Sequence, residues 1–281
     1  MPELPEVETI ARGLHKRVAG DMIQSVWLGE KPEPLKSPPT EIVSVLERSR
    51  IVRVRRIGKH IVFDLQQPPA KKTGRERRGQ WVVHLGMTGR MQVTTPEVEI
   101  ARHTHAIVRL ASGREVRFVD PRRFGRLAVT RCEQSTPDGF SAPGDEPLES
   151  QADRFVELFS GRKTPIKSAL LNQSLLSGVG NIYADESLFR AGIRPGRRAA
   201  SLNRAQLRAL HHAVQEVLRE AIALGGSSIN DYVDADGEEG FFQLQHRVYG
   251  REGEPCLVCQ TPVKRIVIAG RSSHYCPRCQ T

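Results

Sequence analysis

The stretch Cys256-Leu-Val-Cys259-Gln-Thr-Pro-Val-Lys-Arg-Ile-Val-Ile-Ala-Gly-Arg-Ser-Ser-His-Tyr-Cys276-Pro-Arg-Cys279 carries the strongest spacing signal in the chain. Two Cys-x2-Cys pairs set sixteen residues apart suit four thiolates on one tetrahedral ion, and they predict a single structural Zn2+ held by Cys256, Cys259, Cys276 and Cys279. Val263 to Ile268 and Arg271 to Tyr275 supply the strands of the hairpin that such a ribbon needs. A pair of disulfides is the competing reading and ranks far behind it. A zinc ribbon is a scaffold, so its use lies in what it displays. Arg271, just after Gly270 at the expected hairpin tip, is the candidate. Cys132, outside the set, reads as an inert structural residue.

Upstream of the ribbon the apolar pattern is helical. Phe155, Val156, Leu158 and Phe159 predict one helix, Ile166, Ala169 and Leu170 another, and Ile182, Leu188 and Phe189 another. Leu207, Leu210, Val214, Val217, Leu218 and Ile222 predict a long last one that ends at Gly225-Gly226. Within this region Ser177-Gly-Val-Gly-Asn181-Ile182 lets backbone N–H groups approach an anion at a helix start, a weak signal by itself. Residues 132–150, with Pro137, Gly139, Pro143, Gly144 and Pro147, read as an interdomain linker.

Before the linker, from Met22 to about Arg131, the period is two. Ile23, Ser25 and Trp27 open it, Val52 and Val54 alternate with Arg53 and Arg55, and Ile61 to Leu65, Trp81 to Leu85, Ala106 to Leu110 and Val116 to Val119 follow. Short strands parted by Gly and Pro predict an antiparallel sandwich with the first helix packed beside it. Residues 66–80 are basic and read as a mobile, solvated loop unable to pack a core. Two other loops stand out. His84-Leu-Gly-Met87-Thr-Gly89 sets a methionine in a glycine-flanked turn, and Asp120-Pro-Arg-Arg-Phe124-Gly125 sets two arginines beside an aromatic, a combination able to wedge into a base stack while holding phosphates. Arg102-His103-Thr-His105 is a weaker basic signal.

The chain starts Met1-Pro2-Glu3-Leu4-Pro5-Glu6, followed by an amphipathic run at Val7, Ile10, Ala11, Leu14 and Val18. Pro5 suits a first helical turn, and Glu6 and Glu8 suit the positive end of the helix dipole. If Met1 is removed, Pro2 carries a secondary amine, and an α-amino group with a pKa of about 7.7 to 8.0 is partly neutral and nucleophilic near pH 7. Its condensation with an aldehyde-level carbon gives an iminium that has no N–H proton to lose. Glu3 is placed to protonate a leaving oxygen. The plain reading is a rigid helix start with an acidic first turn, and other features have to move the odds.

A length of 281 residues suits two domains, or one with appendages. The 42 Lys and Arg against 32 Asp and Glu leave a net charge of +10, and the pI of about 9.7 points to nucleic acid, with a membrane surface as the rival partner. No run of 18 apolar residues is present, and the acidic start is unlike a targeting peptide, so a cytoplasmic location is expected.

Pro-Glu-Leu-Pro-Glu at the start, Asp-Pro-Arg-Arg-Phe-Gly, Gly-Val-Gly-Asn-Ile-Tyr and the four-cysteine ribbon together resemble bacterial formamidopyrimidine-DNA glycosylases over essentially the whole chain. The resemblance implies an α+β multidomain fold: an N-terminal β-sandwich domain (1–131), the linker (132–150), a helical helix-two-turns-helix domain (151–250) and a zinc finger (251–281). It implies a monomer that binds damaged double-stranded DNA between its domains, associated with the nucleoid, and flips an oxidised purine into a pocket. By the same likeness Pro2 attacks C1′, Glu3 opens the sugar, Lys59 serves β-elimination and Arg271 δ-elimination. Asn181, with Arg271 and Lys59, would clamp phosphates, and His103, Arg162 and Lys167 match further DNA-contacting positions. Met87, Arg122 and Phe124 match the triad that fills the vacated stack, and Ser227 to Gly240 the loop over the flipped base. Residues 66–80 are longer than the family's usual turn. The alternatives are an endonuclease VIII-like enzyme for oxidised pyrimidines, against which Leu4 speaks, and a zinc-ribbon DNA-binding protein without catalysis.

Overall fold

The structure is a computed structural model that describes residues 1–68, 77–132, 139–227 and 240–281. The tip of the expected basic loop, part of the expected linker, most of the stretch from Ser227 to Gly240 and the side chain of Cys132 lie outside the described residues. The chain forms two compact units: Met1–Ser141 with Ser227–Gly240, and Ala142–Gly226 with Phe241–Thr281.

In the first unit, helix α1 (Leu4–Val18) starts where the sequence places it. Glu3 is its extended N-cap, Pro5 sits in the first turn, and Glu6 closes a capping box by accepting the Glu3 N–H at 2.8 Å. Leu4, Val7, Ile10, Ala11, Leu14 and Val18 are buried on one face. Each large apolar side chain on that face contributes on the order of 1.5–3 kcal/mol. His15, Lys16 and Arg17 occupy the last turn, at the negative end of the helix dipole.

Two antiparallel four-stranded sheets follow. One has the order β1 (Ile23–Leu28), β6 (Thr104–Leu110), β7 (Glu115–Val119), β5 (Arg90–Thr94). The other has the order β2 (Arg50–Ile57), β3 (His60–Gln67), β4 (Arg77–His84), β8 (Arg126–Cys132). Their inner faces share one core with α1 and the short helix α2 (Pro39–Leu46), which makes the unit a β-sandwich.

Two sequence expectations change here. Val52 does not alternate inward with Val54, because the register slips between Ile51 and Arg53; Ile51 takes the buried place and Val52 is half exposed. Residues 66–80 are not all loop. Gln66 and Gln67 pair with Arg78 and Arg77, and the buried Gln67 amide donates to the Ser44, Val45 and Glu47 carbonyls at 2.7, 3.0 and 3.2 Å. Polar glutamines can be core residues when every amide proton has an acceptor.

The second unit holds α3 (Ala152–Phe159), α4 (Ile166–Leu170), α5 (Asn181–Arg190), α6 (Arg204–Ala223) and the hairpin β9 (Lys264–Ile268) with β10 (Arg271–Tyr275). The residues expected as a separate finger pack on this unit, with Cys256, Val263 and Cys276 sharing a core with Phe189 of α5 and with Val248. α5 is buried almost all round, carboxylates included. Burial raises the pKa of Glu186, while its oxygens accept the N–H groups of Arg247, Val248 and Tyr249 at 2.9, 3.0 and 2.8 Å, which fixes the chain entering the finger.

Candidate active site and metal centre

Pro2 is half-buried and Glu3 buried, directly ahead of α1. The Glu6 carboxylate is the anchor of this start. One oxygen accepts the Glu3 N–H and the other accepts the Ser227 N–H, both at 2.8 Å. Sequence reasoning gave Glu6 only a dipole role. Its place three residues after an N-cap was the signal for the local bond, and nothing in the sequence marks the bond to Ser227.

Lys59 lies in the two-residue turn joining β2 to β3, after Gly58 at φ +58°, and is buried. Arg56 supports this turn by donating to the Gly58 carbonyl at 3.2 Å, and is itself held by Glu8 of α1 at 2.8 Å. The helix that carries Pro2 and Glu3 is thereby tied to the turn that carries Lys59. His60 and His84 form a tilted ring pair nearby, centroids 4.9 Å apart. Burial lowers the pKa of both; His84, also facing positive charge from His60, Arg126 and Lys59, falls to about 4. The His84 ring is neutral at pH 7. The unprotonated Nδ1 of His84 accepts the Gly86 N–H at 3.1 Å and shapes the start of the Met87 loop.

Met87 and Phe124 are exposed at 44% and 53%, unusual for large apolar side chains. Their loops touch through the backbone: a Cβ on Gly86 would lie 2.5 Å from the carbonyl carbon of Phe124, and Gly86 has φ +64°. The Arg122 guanidinium sits 4.8 Å over the Phe124 ring, a cation–π arrangement. Arg123 differs. It has φ +58° and pairs with Glu33 at 2.6 Å. His103 is exposed, and its carbonyl accepts the Asp120 N–H at 2.9 Å.

In the second unit Arg162 is exposed, with its guanidinium donating to the Leu158 carbonyl at the end of α3. Ala269 and Gly270, both at positive φ, make the tight hairpin turn between the paired residues Ile268 and Arg271, so the exposed Arg271 stands at the tip as the sequence predicts.

Lys167 lies in the interior of the second unit. Its side chain is fully buried, pairs with the equally buried Asp185 at 2.6 Å and donates to the Ser272 carbonyl at 2.7 Å. Asn181, the first residue of α5, also donates to the Ser272 carbonyl, at 3.0 Å, and the His274 N–H donates to Asp185 at 2.8 Å. The Lys167 ammonium is neutralised in the interior, and Lys167, Asn181 and Asp185 hold β10 directly beyond Arg271. Asp185 and its place beside Lys167 were missed by sequence reasoning, because α5 also carries Glu186, Ser187 and Arg190 and nothing in the sequence marks which of its polar residues is paired in the interior.

The four cysteine sulfurs lie within 4.8 Å of one another, with Cys256 to Cys279 at 3.9 Å and Cys259 to Cys276 at 3.4 Å. A tetrahedral zinc with Zn–S of about 2.3 Å sets sulfurs about 3.8 Å apart, so the set fits one zinc ion. Four thiolates close the coordination sphere, so the metal's part is structural. Purified protein should contain one zinc per chain by elemental analysis, and chelation should loosen the hairpin that carries Arg271 and lower the melting temperature. Folded, metal-free protein of unchanged stability would contradict this.

Comparison with known proteins agrees with this geometry. Residues 1–127 match the formamidopyrimidine-DNA glycosylase N-terminal domain, residues 143–233 the formamidopyrimidine-DNA glycosylase H2TH domain, and residues 253–281 the zinc finger found in FPG and IleRS. A formamidopyrimidine-DNA glycosylase of Solibacter usitatus is 42% identical, the match covering 100% of this chain and 99% of that protein. The crystal structure of the MutM (Fpg) protein of Thermus thermophilus has a TM-score of 0.82 at 41% identity, covering 99% of this chain and 98% of that one. A Lactococcus lactis FPG mutant in complex with a Fapy-dG containing DNA has a TM-score of 0.87 at 31% identity, covering 100% of both chains. Relatives so similar over their full length, and a family match in every part of the chain, show that this chain belongs to the formamidopyrimidine-DNA glycosylase family.

Proposed function

We propose that the protein excises oxidised purines, 8-oxoguanine and formamidopyrimidines, from double-stranded DNA and then cuts the backbone at the resulting abasic site. The observation that carries this reading is the ordered start of the chain, where a capped helix and the Glu6 carboxylate fix Glu3 beside Pro2. With Met1 removed, the Pro2 nitrogen attacks C1′ as the C1′–base bond breaks and the base leaves with the electron pair. Glu3 protonates the sugar ring oxygen, the ring opens, and an iminium joins Pro2 to C1′. The iminium acidifies the C2′ proton. Its removal, assigned to Lys59, expels the 3′ phosphate; a second elimination, assigned to Arg271, expels the 5′ phosphate, and water then releases Pro2.

Exposed His103, Arg162, Arg122 and Arg271 are the phosphate and base contacts this reading offers, with Met87 and Phe124 filling the stack that the flipped base leaves. No described helix is long and apolar enough to cross a membrane. We place the protein in the cytoplasm, on the nucleoid through its affinity for DNA, acting as a monomer. Borohydride reduction during reaction with a duplex holding 8-oxoguanine opposite cytosine should convert the iminium into a stable protein–DNA crosslink. Excision without any crosslink would exclude the amine mechanism, and binding without excision would leave only a DNA-binding protein.

A further inference from the structure

The Met87 loop and the Arg122 loop come from different strands, yet one buried carboxylate joins them. Asp120 is fully buried. Its Oδ1 accepts the Thr88 hydroxyl at 2.6 Å and the Arg122 N–H at 3.2 Å, and its Oδ2 accepts the Gly125 N–H at 2.7 Å. Its own backbone is fixed as well, by the His103 carbonyl at 2.9 Å and by His105 Nε2, which donates to the Asp120 carbonyl at 3.0 Å. Space is tight around this node: a Cβ on Gly125 would lie 2.4 Å from Phe118 Cζ and 3.1 Å from Asp120 Oδ2.

We propose that Asp120 is a positioning residue that locks Met87, Arg122 and Phe124 into one rigid set, with the Thr88 hydroxyl as the latch between the two loops; the inference rests on the proposal that these three side chains fill the vacated stack. An inserted wedge has to resist the stack that tries to close on it. Two loops that yield separately would let Met87 retreat without Arg122. Aspartate is needed because all three groups donate. An asparagine has one oxygen and one NH2. Whichever way its amide points, the NH2 faces either the Arg122 N–H or the Gly125 N–H, donor against donor. Rotation of the Thr88 hydroxyl relieves only its own bond, so Asp120→Asn loosens the arginine loop in either orientation.

Thr88→Val is the sharper test, because it removes only the latch and leaves the turn of each loop its own hydrogen bonds. Excision of 8-oxoguanine opposite cytosine should fall about tenfold, the effect of one lost hydrogen bond that leaves a buried acceptor short of a donor. The preference for cytosine over adenine should shrink with it, because Arg122 offers only donors, which suit the N3 and O2 acceptors of cytosine and clash with the amino group of adenine. Borohydride trapping on a duplex with a preformed abasic site, which has no base to extrude, should stay within about twofold of wild type. Thr88→Ser should restore excision. Unchanged excision and preference in Thr88→Val would overturn the proposal, as would an equal loss of excision and trapping, which is what general loosening of the fold gives. Met87→Ala and Arg122→Ala separate the two levels. If they reduce excision while Thr88→Val does not, the latch alone is wrong; if they too are silent, the stack-filling role itself is wrong.

Discussion

A chain that keeps any residue ahead of Pro2 should form no borohydride-stable crosslink with DNA and should lose base excision by at least roughly a thousandfold, the order of loss seen when an enzyme's nucleophile is removed. An extension turns the Pro2 amine into an amide, whose nitrogen lone pair is delocalised into the carbonyl and cannot attack C1′. The rest of the site is untouched. Glu3 still caps α1 and Glu6 still accepts the Glu3 and Ser227 N–H groups, so binding to a duplex with an abasic-site analogue should persist. Mass spectrometry of the trapped complex from processed protein should find the adduct on Pro2. A crosslink of wild-type yield from the extended chain would move the chemistry to an internal lysine, with Lys59 the first to examine.

Lys167→Met should destabilise the fold by about 3–5 kcal/mol, the usual consequence of removing one partner from a buried ion pair. Asp185 would be left charged in the interior, facing the His274 N–H on one side and nothing in place of the ammonium on the other. The Ser272 carbonyl would keep Asn181 as its remaining side-chain donor. Thermal or urea denaturation measures the loss, and Lys167→Met combined with Asp185→Asn should recover part of it, because the amide oxygen still accepts the His274 N–H and no unpaired charge is left in the interior. The outcome also decides what Lys167 is for. A lysine that contacts a phosphate would leave stability unchanged on substitution and lower the salt dependence of DNA binding by about one unit of slope.

The elements were legible where one residue type has one physical use. Pro5 and the carboxylates of the first turn announced α1, the cysteine spacing announced the metal centre, and Gly270 before Arg271 announced the hairpin tip. The β-sandwich was visible in its strongest strands, but β5 and β8 were not named, since each offers only two large apolar residues to the period-two pattern, Met91 and Val93 in one and Leu127 and Val129 in the other. A bulge such as the one beside Val52 has no composition of its own. The buried polar residues were the least legible. Lys167, Asp185, Gln67 and Asp120 look solvated in a sequence, and only the three-dimensional neighbours that satisfy them show that they are interior. Resemblance gave Lys167 a position but not its buried partner Asp185.

The bond from Glu6 to Ser227 joins residues 221 positions apart and sets a timetable for how the protein is made. The strands of the first unit are all present once residue 141 has left the ribosome, yet the segment Ser227–Gly240 that completes that unit comes only after most of the helical part. At synthesis rates of about 5–20 residues per second, the Glu6 carboxylate waits roughly 10–45 s for its second donor. The nascent sandwich therefore has to persist with its amino-terminal helix held by its packing on the sheets and the Glu8–Arg56 pair, without the Ser227 bond. The turn at Glu3 and Glu6 is thus among the last parts of the unit to gain its full set of bonds, and a product that stops before residue 227 lacks the second donor to Glu6.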